Sequence, residues 1–222
     1  MREVEELRRG GVCSPCWSTL PPRDAERCGR CDETLPGRAD AGGLCGRCLL
    51  DPPAFARLEG AAPYRGPARA ILLAFKFEGA DFLGARLAET MTGRLVPPDV
   101  DEVVAVPATA RARRARGYHP AAVLGAEVAR RLRRHFAPDR LRKVRETEKQ
   151  SRVRAAGRAA NVRRAFAVEG SPRGHVLLVD DVATSGATAR ECAARLAAAG
   201  AEGVTVWCFA RASRADLAAE LA

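Results

Sequence analysis

The sequence predicts an α/β protein: an N-terminal zinc ribbon followed by a doubly wound, mainly parallel sheet. Three observations carry this prediction. Apolar runs of β-forming residues, DEVVAVP (101–107), VLLV (176–179) and GVTVWCFAR (203–211), alternate with stretches of helical apolar spacing. Six of the eight cysteines fall into three CxxC pairs within the first 50 residues, among glycines, prolines and arginines. Between these two compositions lies DPPAFARLEGAAP (51–63), read as a link that divides a cysteine-rich segment, 1–52, from an α/β domain, 63–222.

With 222 residues and 47% apolar composition, the chain is long enough for one ordinary core plus a small appendage. No run approaches the roughly 18 apolar residues of a membrane helix, and MREVEELRRGG has no apolar centre of the signal-peptide kind. The expectation is a cytoplasmic protein without membrane insertion. The formal charge is +10 and only three lysines are present, Lys76, Lys143 and Lys149, so the basicity is almost all arginine. Such an excess favours polyanionic partners, nucleic acid or phosphorylated small molecules.

Taken in order, the cysteines come first. Two CxxC knuckles complete a tetrahedral zinc site, because main-chain N–H groups in each tight turn face thiolate sulfurs. Cys28, Cys31, Cys45 and Cys48 have the better claim: both knuckles read CGRC, and 13 intervening residues fit a ribbon hairpin. The alternative, disulfides in a small secreted module, lacks any sign of export. Cys13 and Cys16 are a pair without a second pair. They bind no metal, share one across a dimer, or form half of a site. Cys192 and Cys208 lie in apolar surroundings and read as core thiols.

Beyond the link, YRGPARAILLAFKFEG reads as a helix packing Ile71, Leu72 and Phe75, with Lys76 near its end, where the dipole favours a cation. DFLGARLAETMTGRL is a second amphipathic helix. The strand at 101–107 stops at Pro107, and RARRARGYHP follows with Arg111, Arg113, Arg114 and Arg116. Arginines at a strand end suit a second anion site, for pyrophosphate or a nucleic-acid backbone, and equally describe a solvated basic turn. Residues 120–135 read as a helix ending in basic residues. LRKV and AFAV are short strand segments flanking an arginine-rich stretch of the kind that closes over a charged ligand.

The most informative stretch is VLLVDDVATSGAT (176–188), read as a strand ended by Asp180 and Asp181, a small-residue loop, and then the helix ARECAARLAAAG. Thr184, Ser185, Gly186, Ala187 and Thr188 offer consecutive N–H donors, hydroxyls and a glycine, suited to a phosphate at a helix N-terminus. The two carboxylates repel phosphate and suit sugar hydroxyls or a divalent metal. A ligand with a phosphate beside a diol is a 5-phosphoribosyl group. A plain βα turn with a helix N-cap uses the same residue types. The strand GVTVWCFAR and a short terminal helix complete the chain.

VDDVATSGAT resembles the phosphoribosyl pyrophosphate (PRPP) signature of the type I phosphoribosyltransferases. The wider pattern resembles the ComF family of bacterial competence proteins: a cysteine-rich segment, YRGPARAILLAFKFEG, VPATARARRARGYHPA, TEKQSRVRAAGRAANVRRAF and VLLVDDVATSGAT, in that order over nearly the whole chain. The resemblance implies a zinc ribbon on a type I phosphoribosyltransferase domain that handles DNA during natural transformation. Tyr64, Lys76, Pro107, Arg116, Gly117, Thr147, Gln150, Arg158, Asn161, Asp180, Asp181, Thr184, Gly186 and Thr188 fall on the family pattern. The family's RGFNQ is RGYHP here, so His119 and Pro120 replace two amides. Family members also carry a further cysteine pair upstream of the Cys13/Cys16 position, which leaves a later start or a lost site as readings.

On that resemblance, Asp180 and Asp181 hold ribose hydroxyls, Ala183 to Thr188 wrap the 5′-phosphate, and Pro107, Arg111, Arg113 and Arg116 lie near the pyrophosphate, with 145–160 as lid. Zn2+ and Mg2+ with PRPP are the implied cofactors. The implied partners are PRPP, single-stranded DNA, a competence helicase and DNA-processing proteins. Purine-salvage relatives often place an aspartate base where Thr184 stands, so no residue is assigned a catalytic role, and PRPP binding is better supported than turnover. Two functions follow: a DNA-handling competence protein whose domain binds PRPP, or a phosphoribosyltransferase acting on a nucleobase or other small acceptor.

Overall fold

A computed structural model describes residues 14–22, 26–35, 43–144 and 165–213. Cys13, the expected lid at 145–160 with Thr147, Gln150 and Arg158, the neighbouring Asn161, and the terminal helix lie outside the described residues. In chain order the elements are α1 (Ser14–Ser18), α2 (Gly46–Leu50), β1 (Arg57–Pro63), α3 (Gly66–Phe77), a 3-10 turn (Asp81–Leu83), α4 (Gly84–Arg94), β2 (Glu102–Ala105), α5 (Ala110–Arg116), α6 (Pro120–Leu132), β3 (His135–Phe136), β4 (Leu141–Lys143), β5 (Phe166–Val168), β6 (His175–Ala183), α7 (Ala187–Ala198) and β7 (Gly203–Arg211).

Five strands form one sheet in the order β1-β7-β6-β2-β3, and every pairing in it is parallel. β4 and β5 pair antiparallel beside it. Parallel strands buried on both faces read as continuous apolar runs, as β6 and β7 do. The period-2 alternation then sorts each side chain to one face. Leu177, Val179, Trp207 and Phe209 pack with Ile71, Leu87, Leu124 and Val128 of α3, α4 and α6. Val176, Leu178, Val204, Val206 and Cys208 pack on the other face with Cys192 and Leu196 of α7 and with Leu141 and Phe166 of the hairpin. The sheet is doubly wound. Cys192 and Cys208 are the buried core thiols expected, and burial pushes both up.

Several boundaries differ from the sequence reading. The link contains β1, with Leu58, Ala61 and Ala62 buried and Phe55 just ahead of it also in the core, because β7 needs a partner on its outer edge. β6 does not end at Asp180. Its pairing with β7 continues to Ala183 opposite Arg211, so backbone hydrogen bonding overrides the low β-propensity of the two aspartates. The arginines after β2 form a helix, α5. Thr109 caps it by accepting a hydrogen bond from the Ala112 N–H at 3.0 Å, and Gly117 ends it in the left-handed region. α6 stops at Leu132, where Arg133 turns left-handed (φ 55°), and His135 and Phe136 pair with β2 instead of extending the helix.

At the far end of β2 from the loops, Glu102 is fully buried and receives two hydrogen bonds from Arg140, at 3.0 and 3.1 Å. The Arg140→Ala variant leaves that carboxylate buried without its cation. Urea unfolding is expected to show a loss of about 3–5 kcal/mol with an unchanged m-value. A wild-type midpoint would contradict the pairing.

Candidate phosphate site and four-cysteine centre

The strand order has a switch point. β2 leads through α5 and α6 outward to β3, while β6 leads through α7 outward to β7, and β2 and β6 lie side by side. A crevice therefore opens at their carboxyl ends, and open α/β sheets bind ligands in such crevices. Val106 stays attached to β6 by its N–H to the Val179 carbonyl, 2.9 Å, so Pro107 and α5 emerge beside Asp180 and Asp181. The topology brings together the two motifs that the sequence separates by some seventy residues.

Asp180, Val182 and Ala183 to Ala189 line a small concavity at the start of α7. Gly186 is left-handed (φ 71°), and a Cβ there would meet no atom within 4 Å, so backbone conformation and not crowding calls for glycine. α7 spans twelve residues, and its first turn presents N–H groups without intrahelical partners. Ser185 Oγ accepts only a long bond, 3.4 Å, from the Ala187 N–H.

The acidic pair has a counter-charge of its own. Asp180 takes the Asp181 N–H at 2.8 Å, and Asp181 is paired with Lys76 Nζ at 2.9 Å. Burial, then repulsion from Asp181, pushes Asp180 up to about 8, against the pull of Lys76. Lys76, read from sequence as a helix-end cation, thus compensates the pair. Tyr118 packs edge-on against Phe75, and its hydroxyl is buried without a hydrogen-bond partner among the described residues. Burial, then the charge of Asp81, pushes it up to about 12.

His119 Nε2 lies 3.0 Å from the Val106 carbonyl and donates to it, since a carbonyl can only accept. Burial lowers its pKa, as do the charges of Arg113 and Arg116, while Asp181 opposes them. Arg116 lies 5.0 Å over the ring of exposed Phe77. Arg111, Arg113 and Arg114 are exposed on α5.

The second constellation is the four-cysteine cluster. Cys28, Cys31, Cys45 and Cys48 place their sulfurs within 4.8 Å of one another. A tetrahedral zinc thiolate with bonds of about 2.3 Å has sulfur edges of about 3.8 Å, and Cys31 and Cys45 are 3.6 Å apart. The donor set fits a metal ion of that kind. The first knuckle sits in a short antiparallel bridge, Arg27 to Thr34, and the second opens α2. The Cys45 N–H reaches the Cys28 sulfur at 3.3 Å. Burial opposes ionisation of Cys28, but backbone donors from Cys45, Cys31 and Arg30 outweigh it and bring the thiol down to about 7. Burial pushes Cys31 and Cys48 up, Cys48 to about 11, so a bound cation has protons to displace. Cys16, on α1, is not in this cluster.

No protein-family model matches the chain. Among curated proteins, the DNA utilization protein YhgH of Salmonella typhimurium is 32% identical over 216 residues, covering 92% of each chain. Its counterpart in Escherichia coli K12 is 31% identical over 216 residues, with the same coverage of both chains. The chain belongs to the ComF family. Competence protein F of Haemophilus influenzae is a further similar protein, 28% identical over 219 residues and 93% of each chain. Among solved structures, the glutamine PRPP amidotransferase of B. subtilis aligns over 61% of this chain and 30% of that one, at 18% identity and a TM-score of 0.38. At that score the alignment adds nothing to the topology already described.

In this ComF-family chain a parallel sheet carries the acidic pair and the loop at its switch point, and a cluster of four cysteines lies in the segment before it. The departure RGYHP has a local reason. His119 is the residue before α6 and Pro120 its first residue, a position where a missing N–H costs nothing. Three residues of the site carried no signal in the sequence reading. Arg47 donates to the Ser185 carbonyl at 3.0 Å, Arg190 reaches Cys48 Sγ at 3.7 Å, and Arg211 joins the first knuckle to the loop. Only the oddity of an arginine closing the apolar run of β7 hinted at the last. No helix among the described residues is long and apolar enough to cross a membrane.

Because Asp180 holds its proton to about pH 8 when folded but only to about 4 when unfolded, the folded state binds more protons between those values. Its contribution to stability is therefore lost as pH rises through that window. The Asp180→Asn variant is expected to melt near wild type at pH 4 and above it at pH 8. A difference that stays constant with pH would contradict the assignment.

Proposed function

We propose that this protein binds PRPP with Mg2+ at the β2/β6 crevice and handles single-stranded DNA in a competence-related pathway, with Zn2+ held by Cys28, Cys31, Cys45 and Cys48. The observation that carries the PRPP half is the order of charges along one strand end. A paired carboxylate site, Asp180 and Asp181, is followed within a few residues by a left-handed glycine and the open first turn of α7. Ribose hydroxyls suit the first and a 5′-phosphate the second. Pro107, Arg111, Arg113 and Arg116 then flank the pyrophosphate. The cysteine-rich segment and the sheet domain, which takes in β1 from Arg57, divide the work between metal binding and PRPP.

DNA handling rests on other grounds. Relatives aligned along 92% of this chain carry the name DNA utilization protein, and the similar Haemophilus protein is named for competence. The exposed arginines of α5 follow β2 directly, and exposed Phe77 beneath Arg116 offers one aromatic face on which a base could stack. A helicase and other DNA-processing proteins in the cytoplasm are the partners this role would need.

A phosphorus NMR time course with PRPP, Mg2+ and the protein tests the first half. Shifted PRPP resonances without release of pyrophosphate, lost in Asp181→Asn, are the expected result. Acceptor-dependent release of pyrophosphate would make the protein a phosphoribosyltransferase, and unshifted resonances would remove PRPP from the reading. For DNA, the Arg113→Ala, Arg114→Ala double variant should bind single strands with a shallower salt dependence, the slope falling by about 0.7 for each phosphate that is no longer neutralised. An unchanged slope would place the DNA surface elsewhere.

A further inference from the structure

The four-cysteine centre is built into the back of the phosphate loop. Arg47 lies between the two ligands of the second knuckle, and its guanidinium donates to the Ser185 carbonyl at 3.0 Å, across 138 positions of sequence. Arg211, only 3% exposed, donates from Nε to the carbonyl of Cys31 at 3.1 Å and from Nη1 to the carbonyls of Ala183, 3.2 Å, and Thr184. Its Nη2 is paired with Glu33 at 3.1 Å. From the loop side, Arg190 in the first turn of α7 reaches back to the Asp51 carbonyl at 2.8 Å and to Cys48 Sγ at 3.7 Å.

These bonds have a common geometric effect. Among the described residues all peptide bonds are trans, and in a trans peptide the carbonyl of one residue points opposite to the N–H of the next. Fixing the carbonyls of Ala183, Thr184 and Ser185 on the cysteine side therefore aims the N–H groups of Thr184, Ser185 and Gly186 to the other side. Cationic donors on those carbonyls also polarise the peptides and strengthen the N–H groups as donors. The arginines can do this only while the knuckles hold their shape. α2 is five residues long and has no side-chain N-cap, so little within the helix itself holds it.

We propose that metal binding at Cys28, Cys31, Cys45 and Cys48 and phosphate-ester binding at residues 184–188 are thermodynamically coupled, with Arg47, Arg190 and Arg211 as positioning residues that carry the coupling. This rests on the reading of 184–188 as a phosphate loop. Coupling is reciprocal, so an anion in the loop must tighten metal binding by the same free energy that the metal lends to the anion. The Arg190 contact gives the return path: a thiolate bound to a metal accepts from Arg190, and α7 is held in register with the loop that it begins.

The test uses the full-length, zinc-loaded protein. PRPP with Mg2+ is titrated calorimetrically into wild type, Arg47→Ala and Arg47→Lys, and zinc release to a chromophoric chelator is timed with and without PRPP. Arg47→Ala keeps all four ligands, so it is expected to retain one zinc at this centre and its fold, yet bind PRPP at least about fivefold more weakly. Arg47→Lys, which keeps a cationic donor, should recover part of that loss. In wild type, PRPP should slow zinc release, and in Arg47→Ala it should slow it less. If wild type fails to bind PRPP, the phosphate-loop reading and the coupling both fall. If wild type binds PRPP while Arg47→Ala binds equally well and zinc release ignores PRPP, the coupling alone is overturned.

Discussion

The buried guanidinium of Arg211 is the constraint around which the two parts of this chain are fitted. At 3% exposure it cannot be hydrated, and an unpaired charge in that position would cost several kcal/mol. Its donors are taken up by Glu33 and by the carbonyls of Cys31, Ala183 and Thr184. The knuckle and the loop must therefore both be in place for β7 to end where it does. β1 is bound into the same arrangement. A Cβ on Gly60 would come within 2.7 Å of the Arg211 Cβ, so the backbone there must be bare for the strands to approach. The Gly60 N–H is taken by buried Asp32 of the first knuckle at 2.9 Å, and the Leu58 N–H by the Arg30 carbonyl at 2.8 Å. The knuckle covers the outer edge of the sheet, which would otherwise present unpaired backbone groups.

The crevice follows from topology and its charges from a balance of few groups. Two carboxylates adjacent in sequence cannot both ionise freely in a half-buried strand end. Here Lys76 compensates one of them, and burial holds the other toward its neutral form. A ligand that brings hydroxyl donors to these carboxylates and an anion to the loop relieves both sides of the site at once. A ligand carrying only phosphate would meet the acidic pair uncompensated.

How much of this was legible in the sequence depended on the range of the interaction. β6, α7 and β7 were readable because apolar period and turn chemistry are local, and the CGRC pair was readable because metal-ligand spacing is local too. The ends of elements were read less well. Asp180 and Asp181 looked like strand terminators because propensity says so, yet eight pairings to β7 carry the strand on to Ala183. The arginine stretch after β2 looked like a turn because its charges dominate the eye, while the decisive features were the Thr109 cap and Gly117. What no local pattern could reveal was the meeting of Arg47 with Ser185 or of Arg211 with Cys31, since each joins residues more than a hundred positions apart.

The composition alone is also a poor measure of the charge available to a polyanion. Arginine accounts for nearly all of the +10 excess, but the arginines do two opposite jobs, and burial decides which. Arg140 and Arg211 are committed to carboxylates in the interior, and Arg190, largely covered, to Asp51. Their removal would alter packing and loop geometry rather than the field outside. Arg111, Arg113 and Arg114 of α5 are exposed and follow the strand whose end forms the crevice, so they set the potential that an anion approaching it meets. Electrostatic attraction of a polyanion is therefore a property of a short helix at the carboxyl end of β2, while the arginines behind the loop fix the direction of its carbonyls.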